Sequence, residues 1–418
     1  MHYFGIDLGT TNSCIAAYDE DSGLVSIIPA VGARSTTPSV VYLPESDGPE
    51  VVGELAVNQL RIEPQRVVTY TKRLIANDEK FKEEGAFDNY PMFKGIKQNP
   101  ITISSMILKS LTFNNPGFKE IIGKDDFRAV ITFPAYFTDE AKARIKQAAE
   151  LAGLNKVEMI EEPIAAALSY GVGHDNKNET VLVYDLGGGT FDVTIIQFDA
   201  NGNGKVLAKE GDPYLGGGDW DTILGYRLWE SYNEKHKQEI TLTLEDFDYM
   251  KSHKDLEISV LKCVNKFRLL AQEAKHMLTD LEETDVLMDD DDDTMLHVTR
   301  KDFDELTRPL LLRTFDLIDD MITHHDVNAV LLVGGSTFMP QVKAGLEEEF
   351  SQFIGKIHLR DPHLAVAKGA AIYCNKSYHL PSRTMGIIIP NYDDIRSASL
   401  PEDDFLNRKR LQELLDSI

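Results

Sequence analysis

Two stretches decide how this chain is read: Phe4-Gly-Ile-Asp-Leu-Gly-Thr-Thr-Asn-Ser-Cys-Ile-Ala16 and Val183-Tyr-Asp-Leu-Gly-Gly-Gly-Thr-Phe-Asp-Val-Thr-Ile195. Each is an apolar run ending in an aspartate, then a Gly/Thr-rich turn, then a second alternating run. That pattern predicts strand, tight turn, strand, with Asp7 and Asp185 at equivalent places. The turns are Gly9-Thr10-Thr11-Asn12 and Gly187-Gly188-Gly189-Thr190. Successive Gly and Thr residues can aim several backbone N–H groups into one concavity, which suits phosphate oxygens. An aspartate at the strand end is placed to hold a hydrated Mg²⁺ that bridges those oxygens, largely through water. Two such turns facing each other would grip a nucleoside triphosphate from both sides.

Composition sets the frame. At 418 residues the chain is too long for one ordinary core, so two or more packed units are expected. Its 43 basic and 68 acidic residues give a formal charge of −25, which argues against nucleic acid as the main partner. A nucleotide stays open, because local N–H groups and Mg²⁺ outweigh distant surface charge. Cys14, Cys263 and Cys374 are odd in number and outside any Cys-x-x-Cys, which predicts a reducing compartment without a disulfide framework. Cys14 reads as a buried strand cysteine, with a redox-sensitive thiol as the alternative. The N-terminus has no basic-then-apolar leader, and no apolar stretch approaches a membrane span. The expectation is a cytoplasmic monomer with no membrane association.

Along the chain, residues 27–43 read as more of the first sheet. Residues 64–76 carry Lys72-Arg73-Leu74-Ile75 in a helix start or loop, where nothing local separates Lys72 from a surface lysine. Residues 77–100 read as loop with a small strand pair, and 101–111 as a buried helix. A strand over 127–133 stops at Pro134, and Thr138 opens an Ala-rich helix that ends at Gly153. A strand over 157–160 leads to Glu161-Glu162-Pro163 and a helix ending near Gly171. Glu162 lies at a strand-to-helix junction, a usual place for site residues in α/β folds; a helix N-terminal charge is the other reading. The polar stretch 174–179 marks the boundary between a lobe over 1–173 and a second over 174–377.

In the second lobe, Asn201-Gly-Asn-Gly204 predicts a hairpin turn. Residues 221–280 and 301–323 read as helices, and His324-His325 as surface histidines. The aspartate run 289–293 fails as a calcium loop, because Thr294 and Arg300 stand where Gly and Glu are needed. It reads as a solvated loop. Residues 329–340 form a buried parallel strand into Gly334-Gly335-Ser336 and a helix with Pro340 in its first turn. That junction suits a ribose or phosphate edge. Asp361-Pro362 precedes a packed helix over 365–375. The tail, 378–418, predicts a strand at 385–390 and an amphipathic helix opened by a capping box at Ser399. That helix either docks on the protein or is offered to a partner.

No Gly-x4-Gly-Lys-Ser/Thr occurs, which excludes the P-loop class. Two Asp-containing hairpins followed by strand–Gly-Gly–helix resemble the duplicated fold shared by actin, sugar kinases and the seventy-kilodalton heat-shock chaperones. The implied fold class is α/β, an actin-like (duplicated ribonuclease H-like) ATPase fold with two lobes around a nucleotide cleft. Within that group, Gly5-Ile-Asp-Leu-Gly-Thr-Thr-Asn-Ser13, Pro134-Ala-Tyr-Phe137, Glu162-Pro163, Asp185-Leu-Gly-Gly-Gly-Thr-Phe-Asp192 and Val333-Gly-Gly335 resemble the DnaK-type chaperone ATPase domain over roughly residues 1–377.

The resemblance implies Mg²⁺-dependent binding of ATP and ADP, and hydrolysis by attack of water on the γ-phosphate. It makes Lys72 the catalytic lysine, with Glu162, Thr190 and Asp192 positioning water and metal and Asp7 and Asp185 around Mg²⁺. Gly216, Gly217, Gln272, Lys275, Thr279, Gly334, Gly335, Ser336, Phe338 and Asp361 fall where the family holds the nucleotide. Phosphoryl transfer needs mainly positioning and charge neutralisation, so this is a sufficient set. Pro134 matches the family's switch proline. A J-domain-type co-chaperone, a nucleotide-exchange factor and client proteins are the implied partners.

The chain also departs from the family pattern. Phe338 stands for an arginine beside adenine, Gln272 for a glutamate near the ribose and Gly218 for an acid. Lys142 replaces an arginine that assists the switch proline, which is not a neutral change at a bidentate site. The family continues into a peptide-binding β-sandwich of ~100 residues; residues 378–418 are too few to build one and read as a truncated or vestigial arm. An alternative is therefore a weakly hydrolysing, nucleotide-gated interaction module without peptide binding. A sugar kinase would need an acceptor-site base, for which no motif is present.

Overall fold

The structure, a computed structural model, describes residues 1–45, 48–88, 90–123, 126–171, 178–199, 204–237, 240–248, 257–289 and 294–379. The elements expected at 385–390 and 399–418 lie outside the described residues, as do most of the turn at 201–204, the aspartate run and the boundary stretch 174–179.

Both Asp-containing hairpins form. β1 (His2–Asp7) pairs antiparallel with β2 (Asn12–Tyr18), setting Asp7 opposite Cys14. β3 (Val25–Ile27) extends the sheet beyond β2, while β4 (Phe127–Phe133) and β5 (Val157–Glu161) add in parallel on the other side of β1. The spatial order is β5-β4-β1-β2-β3. The second half repeats it. β6 (Glu179–Leu186) pairs antiparallel with β7 (Phe191–Phe198), setting Asp185 opposite Asp192, and β8 (Gly204–Asp212) follows. β9 (Ala329–Val333) and β10 (Ile357–Leu359) add in parallel, giving β8-β7-β6-β9-β10. Three antiparallel strands followed by two parallel ones, twice over, is the duplicated actin-like fold. The repeat is why Asp7 and Asp185 end corresponding central strands.

The helices cover these sheets. Those that bear on the site are α1 (Thr71–Ile75), α2 (Pro100–Leu111), α3 (Asp139–Leu151), α4 (Glu162–Ser169), α5 (Gly217–His236), α6 (Ile258–Asp280), α7 (Arg300–His324), α8 (Pro340–Glu349) and α9 (Ala365–His379). Local chemistry sets their starts. Asn99 makes a capping box for α2, and the Thr138 hydroxyl accepts the Ala141 N–H at the start of α3. One apolar cluster joins Phe4 and Ile6 of β1 to Ile107, Leu108 and Ala148. Another joins Tyr184, Phe191 and Leu332 to Trp220, Phe267 and Phe315.

A third cluster spans both sheets, with Val130 and Ile160 from the first and Val181, Val183 and Leu331 from the second. Between them lie Ala165, Ala166 and Ala167 of α4 and Ala370 of α9. Helix α9 packs on α4, β1 and β2, so the last described helix returns to the first sheet. Small residues permit this approach: a Cβ on Gly5 would lie 2.2 Å from the Ala371 nitrogen, and one on Gly369 would lie 1.6 Å from the Ala165 carbonyl oxygen.

Three expectations need correction. Residues 27–43 do not all extend the first sheet. Thr37–Pro38 pairs with β2, but Val41–Tyr42 pairs with Val51–Val52 and Val67–Val68 in a separate three-stranded sheet. Alternation marks a strand but not its neighbour, and these neighbours arrive later in the chain. Segment 77–100 contains the hairpin Met92–Phe93/Ile96–Lys97 and also a helix, Asp78–Lys82, capped by the Asn77 side chain. Gly334-Gly335-Ser336 enters a 3-10 turn, Gly335–Phe338, before α8 starts at Pro340. All three cysteines are free thiols, with Cys14 and Cys374 buried. Among the described residues no helix is long and apolar enough to cross a membrane.

Because the α4–α9 crossing has no room for a methyl group at Gly369, Gly369→Ala should destabilise the protein by about 3 kcal/mol, the upper end of ordinary overpacking costs. Urea unfolding followed by tryptophan fluorescence reads this directly. An unchanged midpoint would mean that the two helices part without cost.

Candidate functional site

The two Gly/Thr turns meet at the ends of the central strands. A Cβ on Gly188 would lie 1.9 Å from the Thr11 hydroxyl oxygen, and one on Gly189 would lie 2.4 Å from the Thr10 methyl carbon. The turns are therefore in direct contact, and only glycine fits the second one. Each is braced from behind. In the first, the Gly9 N–H donates to the Ser13 hydroxyl (3.1 Å), and the Ser39 hydroxyl donates to the Gly9 carbonyl (2.8 Å). In the second, the N–H groups of Gly217 and Gly218 donate to the carbonyls of Gly187 and Gly188 (2.9 and 2.8 Å). The Ser336 hydroxyl also donates to the Gly187 carbonyl (2.9 Å).

Between the turns runs a cleft of about 510 Å³, within the range of small-molecule sites. On its floor Lys72 and Glu162 form a buried ion pair at 2.5 Å. Lys72 comes from α1 and Glu162 from the first turn of α4, so the first half supplies both. The lysine that local sequence read as superficial is only 7 % exposed. The reason is tertiary: Tyr70, in the left-handed region at φ 54°, turns the chain into the five-residue α1 and points it at the cleft.

Acidic groups crowd this pair. Burial, and then the Glu162 charge, push the Asp7 carboxyl up to about 7, although Lys72 and a hydrogen bond from the Thr132 hydroxyl (3.3 Å) oppose the rise. The same two causes push Asp192 up to about 8. Asp185 is raised well above the carboxylate range by burial and by Glu162, Asp192 and Asp7. Burial works against the Lys72 charge, but Glu162 and then Asp7 hold its pKa above the ordinary value. These are hard oxygen donors short of positive charge. Among the described residues no three His, Cys, Asp or Glu are close enough to chelate a metal directly. Such a donor set fits a divalent cation that prefers oxygen ligands, such as Mg²⁺.

Most of the residues singled out from sequence line this cleft: Asp7, Gly9, Thr10, Thr11, Asn12, Lys72, Glu162, Asp185, Gly187 to Thr190, Gly217, Gln272, Lys275, Thr279, Gly334, Gly335, Ser336 and Phe338. Three lie off its wall. Gly216 is packed on Gly189 behind the second turn. Asp192 sits beneath Thr190, whose hydroxyl hydrogen-bonds to it. Asp361 turns its carboxylate to Lys368 at 2.6 Å, and its neighbours Pro362 and His363 reach the wall instead.

At the far end, Lys275 is committed to Asp221 (2.7 Å) and the Gly217 carbonyl (2.8 Å). The partly exposed Phe338 ring leans on His363 at 5.3 Å. His276, which sequence reasoning missed, lines the same wall, and burial with the Lys275 charge lowers its pKa. Thr36, Asp221 and Asp280 were also missed, since none stands in a motif, and Met339 was passed over inside the 329–340 stretch. Near Pro134 the Lys142 ammonium pairs with Asp139 of its own helix (3.2 Å) and lies over the Phe133 ring at 5.2 Å. Across the halves, Lys209 of β8 donates to the Ala135 carbonyl on that loop (2.9 Å).

With this geometry in place, comparison with known proteins is informative. The sequence pattern of the family described as Hsp70 protein matches residues 3–379. The chaperone protein DnaK of Thermosipho melanesiensis is 36% identical over 380 residues, which is 88% of this chain and 58% of that protein. The chaperone protein DnaK of Thermotoga petrophila is 35% identical over 381 residues, with the same coverage. The chain thus spans somewhat over half the length of these curated relatives.

The raised carboxyls carry a sign for stability. Their folded pKa values, about 7 for Asp7 and about 8 for Asp192, exceed the unfolded value of about 4. Between those limits the folded state binds more protons than the unfolded one, so this contribution to stability falls as pH rises. Without nucleotide or divalent cations, Asp192→Asn should gain on the wild type progressively from pH 5 to pH 8.5 in urea unfolding. A difference independent of pH would contradict the assignment.

Proposed function

The chain belongs to the Hsp70 family, and from that premise we propose that it binds ATP with Mg²⁺ between the two Gly/Thr turns and hydrolyses it by in-line attack of water on the γ-phosphate. The observation that carries this reading is the Lys72–Glu162 pair, set among Asp7, Asp185 and Asp192 and flanked by both N–H cradles. When bound, Mg²⁺ would neutralise phosphate charge, including that developing on the leaving diphosphate. Asp7 and Asp185, at corresponding strand ends, would hold it largely through water.

The chain's own groups then divide the work. Lys72 places a fixed positive charge where negative charge develops on the transferred group. Glu162 holds that ammonium in one position, so no reorganisation is needed as the reaction proceeds. Thr190 presents its hydroxyl to the attacking water. Asp192 acts through Thr190, fixing that hydroxyl's direction. The turns supply N–H donors that cost little to organise, because Ser13, Ser39, Ser336 and the N-terminus of α5 already hold them.

In the same proposal, residues 1–173 and 174–377 are lobes that close on the nucleotide, with α9 crossing back to the first. The family relationship supports a cytoplasmic chaperone role, with client proteins, a J-domain-type co-chaperone and an exchange factor as partners. A second reading, a weakly hydrolysing nucleotide-gated interaction module, is favoured by one feature. Lys142 stands where the family has an arginine beside the switch proline and pairs with Asp139 of its own helix, while Lys209 of β8 bonds the Ala135 carbonyl.

Lys72→Ala should lower single-turnover ATP hydrolysis by about 10²-fold, the usual loss for one preorganised charge-stabilising group, while nucleotide affinity stays within a few-fold. Titration calorimetry of ATP and ADP with and without Mg²⁺ provides the affinities. Unchanged turnover in the variant would remove Lys72 from the mechanism, and absence of ATP binding by the wild type would remove the proposal.

A further inference from the structure

Arg73, the neighbour of Lys72, is the one side chain described here that reaches from α1 to the phosphate turn of the opposite half. Successive helical residues point about 100° apart, so when Lys72 enters the cleft Arg73 must leave it. Its guanidinium passes behind the second turn and donates through both Nε (2.6 Å) and Nη2 to the Gly189 carbonyl. Nη2 also lies 3.7 Å from the Asp219 carboxylate, and the guanidinium sits 5.2 Å from the centroid of the Tyr70 ring. The side chain is 2 % exposed. Asp219 in turn accepts the Gly216 N–H at 2.7 Å, at the N-terminus of α5. A buried cation therefore connects the short helix that carries Lys72, the turn that faces it and the helix that braces that turn.

We propose that Arg73 is a positioning residue that orients the Gly189–Thr190 peptide for phosphate. A trans peptide is planar, with its C=O and N–H pointing in opposite directions. Gly189 and Thr190 line the cleft, and Arg73 is not among its lining residues. Drawing the Gly189 oxygen back toward Arg73 therefore turns the Thr190 N–H forward into the cleft, beside the Thr190 hydroxyl. Two donors on one carbonyl fix the rotation of that peptide more firmly than one would, and glycine at 189 offers no side-chain resistance to it. A Cβ there would meet Arg73 Nε at 3.3 Å and the Thr10 methyl carbon at 2.4 Å. Because Arg73 belongs to the first half and Gly189 to the second, the N–H is aimed correctly only when the halves are in register. The same register brings Lys72 of the first half within reach of the Asp185 charge of the second.

This inference rests on the nucleotide reading, and the experiment separates the two. Full-length wild type, Arg73→Ala and Arg73→Lys are compared for ATP affinity, thermal midpoint and single-turnover hydrolysis at saturating enzyme. Arg73→Ala should lose about 10²-fold in turnover, the scale of a misplacement of about 1 Å, with a smaller loss in affinity. Arg73→Lys restores one point charge but not the two-pronged donor, so it should regain the thermal midpoint without regaining the rate. Low concentrations of free guanidinium should recover part of the rate in Arg73→Ala and none in Arg73→Lys. Wild-type turnover in Arg73→Lys would overturn the proposal, as would a loss confined to the thermal midpoint. If Arg73→Ala does not fold, Arg73→Lys alone decides. A wild type that binds no ATP overturns the functional reading itself, and this inference with it.

Discussion

Bringing several carboxylates to one buried point is the constraint that shapes this molecule. Two like charges 5 Å apart repel by about 3 kcal/mol at an effective dielectric of 20, and Asp7, Asp185, Asp192 and Glu162 share one lysine. Only rigid supports can impose such a cluster. Here the supports are the central strands of two sheets with the same order, whose ends place Asp7 and Asp185 in corresponding positions. The cluster responds by holding protons that ordinary aspartates would release. A ligand that brings positive charge would relieve this repulsion, so the carboxylate cluster favours binding of a cation.

The sheets can face each other closely because the material between them is small. Ala165, Ala166 and Ala167 on α4 meet Gly369 and Ala370 on α9, and Gly5 lies under Ala367 and Ala371. Larger side chains here would separate the sheets and carry the two turns apart. The contact of Thr10 and Thr11 with Gly188 and Gly189 has the same logic on a smaller scale. Core packing and site geometry are one problem in this fold, since the same close approach that α4 and α9 permit brings the two turns into contact.

The features readable from sequence were those with a short repeat or a local cap. The twin Asp-Gly/Thr hairpins, the β4–α3 unit between Phe127 and Gly153, and the strand into Gly334-Gly335 follow from residues within a few positions of one another. Lys72 and Arg73 were opaque for the opposite reason. Their helix has five residues, too few for periodicity, and its direction depends on a left-handed Tyr70 that no propensity anticipates. Lys209 gave no signal either, because its partner Ala135 lies 74 residues earlier in the chain. The separate small sheet around Val41–Tyr42 went unseen because alternation is the same in any sheet. Family resemblance supplied Lys72, but it could not show that Asp361 turns to Lys368 and leaves the cleft wall to His363.

The two ends of the cleft are built from different materials, and that difference bears on where this chain can vary. Around the turns, the groups that would meet phosphate are backbone N–H donors, fixed by serine hydroxyls and by a helix N-terminus. Such donors belong to the backbone, and substitution reaches them only through the side chains that brace the turns, Arg73 among them. The far wall is made of side chains: Gln272, His276 and Thr279 from α6, then Phe338 and Met339. Among the described residues, its one lysine is already committed to Asp221 and the Gly217 carbonyl, and burial keeps His276 from charging readily. A base resting there would be held by stacking and apolar contact rather than by charge. Contacts of that kind depend weakly on which flat ring is present. Selection for a triphosphate would then reside at the charged end, where Lys72, the acid cluster and the two cradles converge, and the aromatic wall would mainly add affinity.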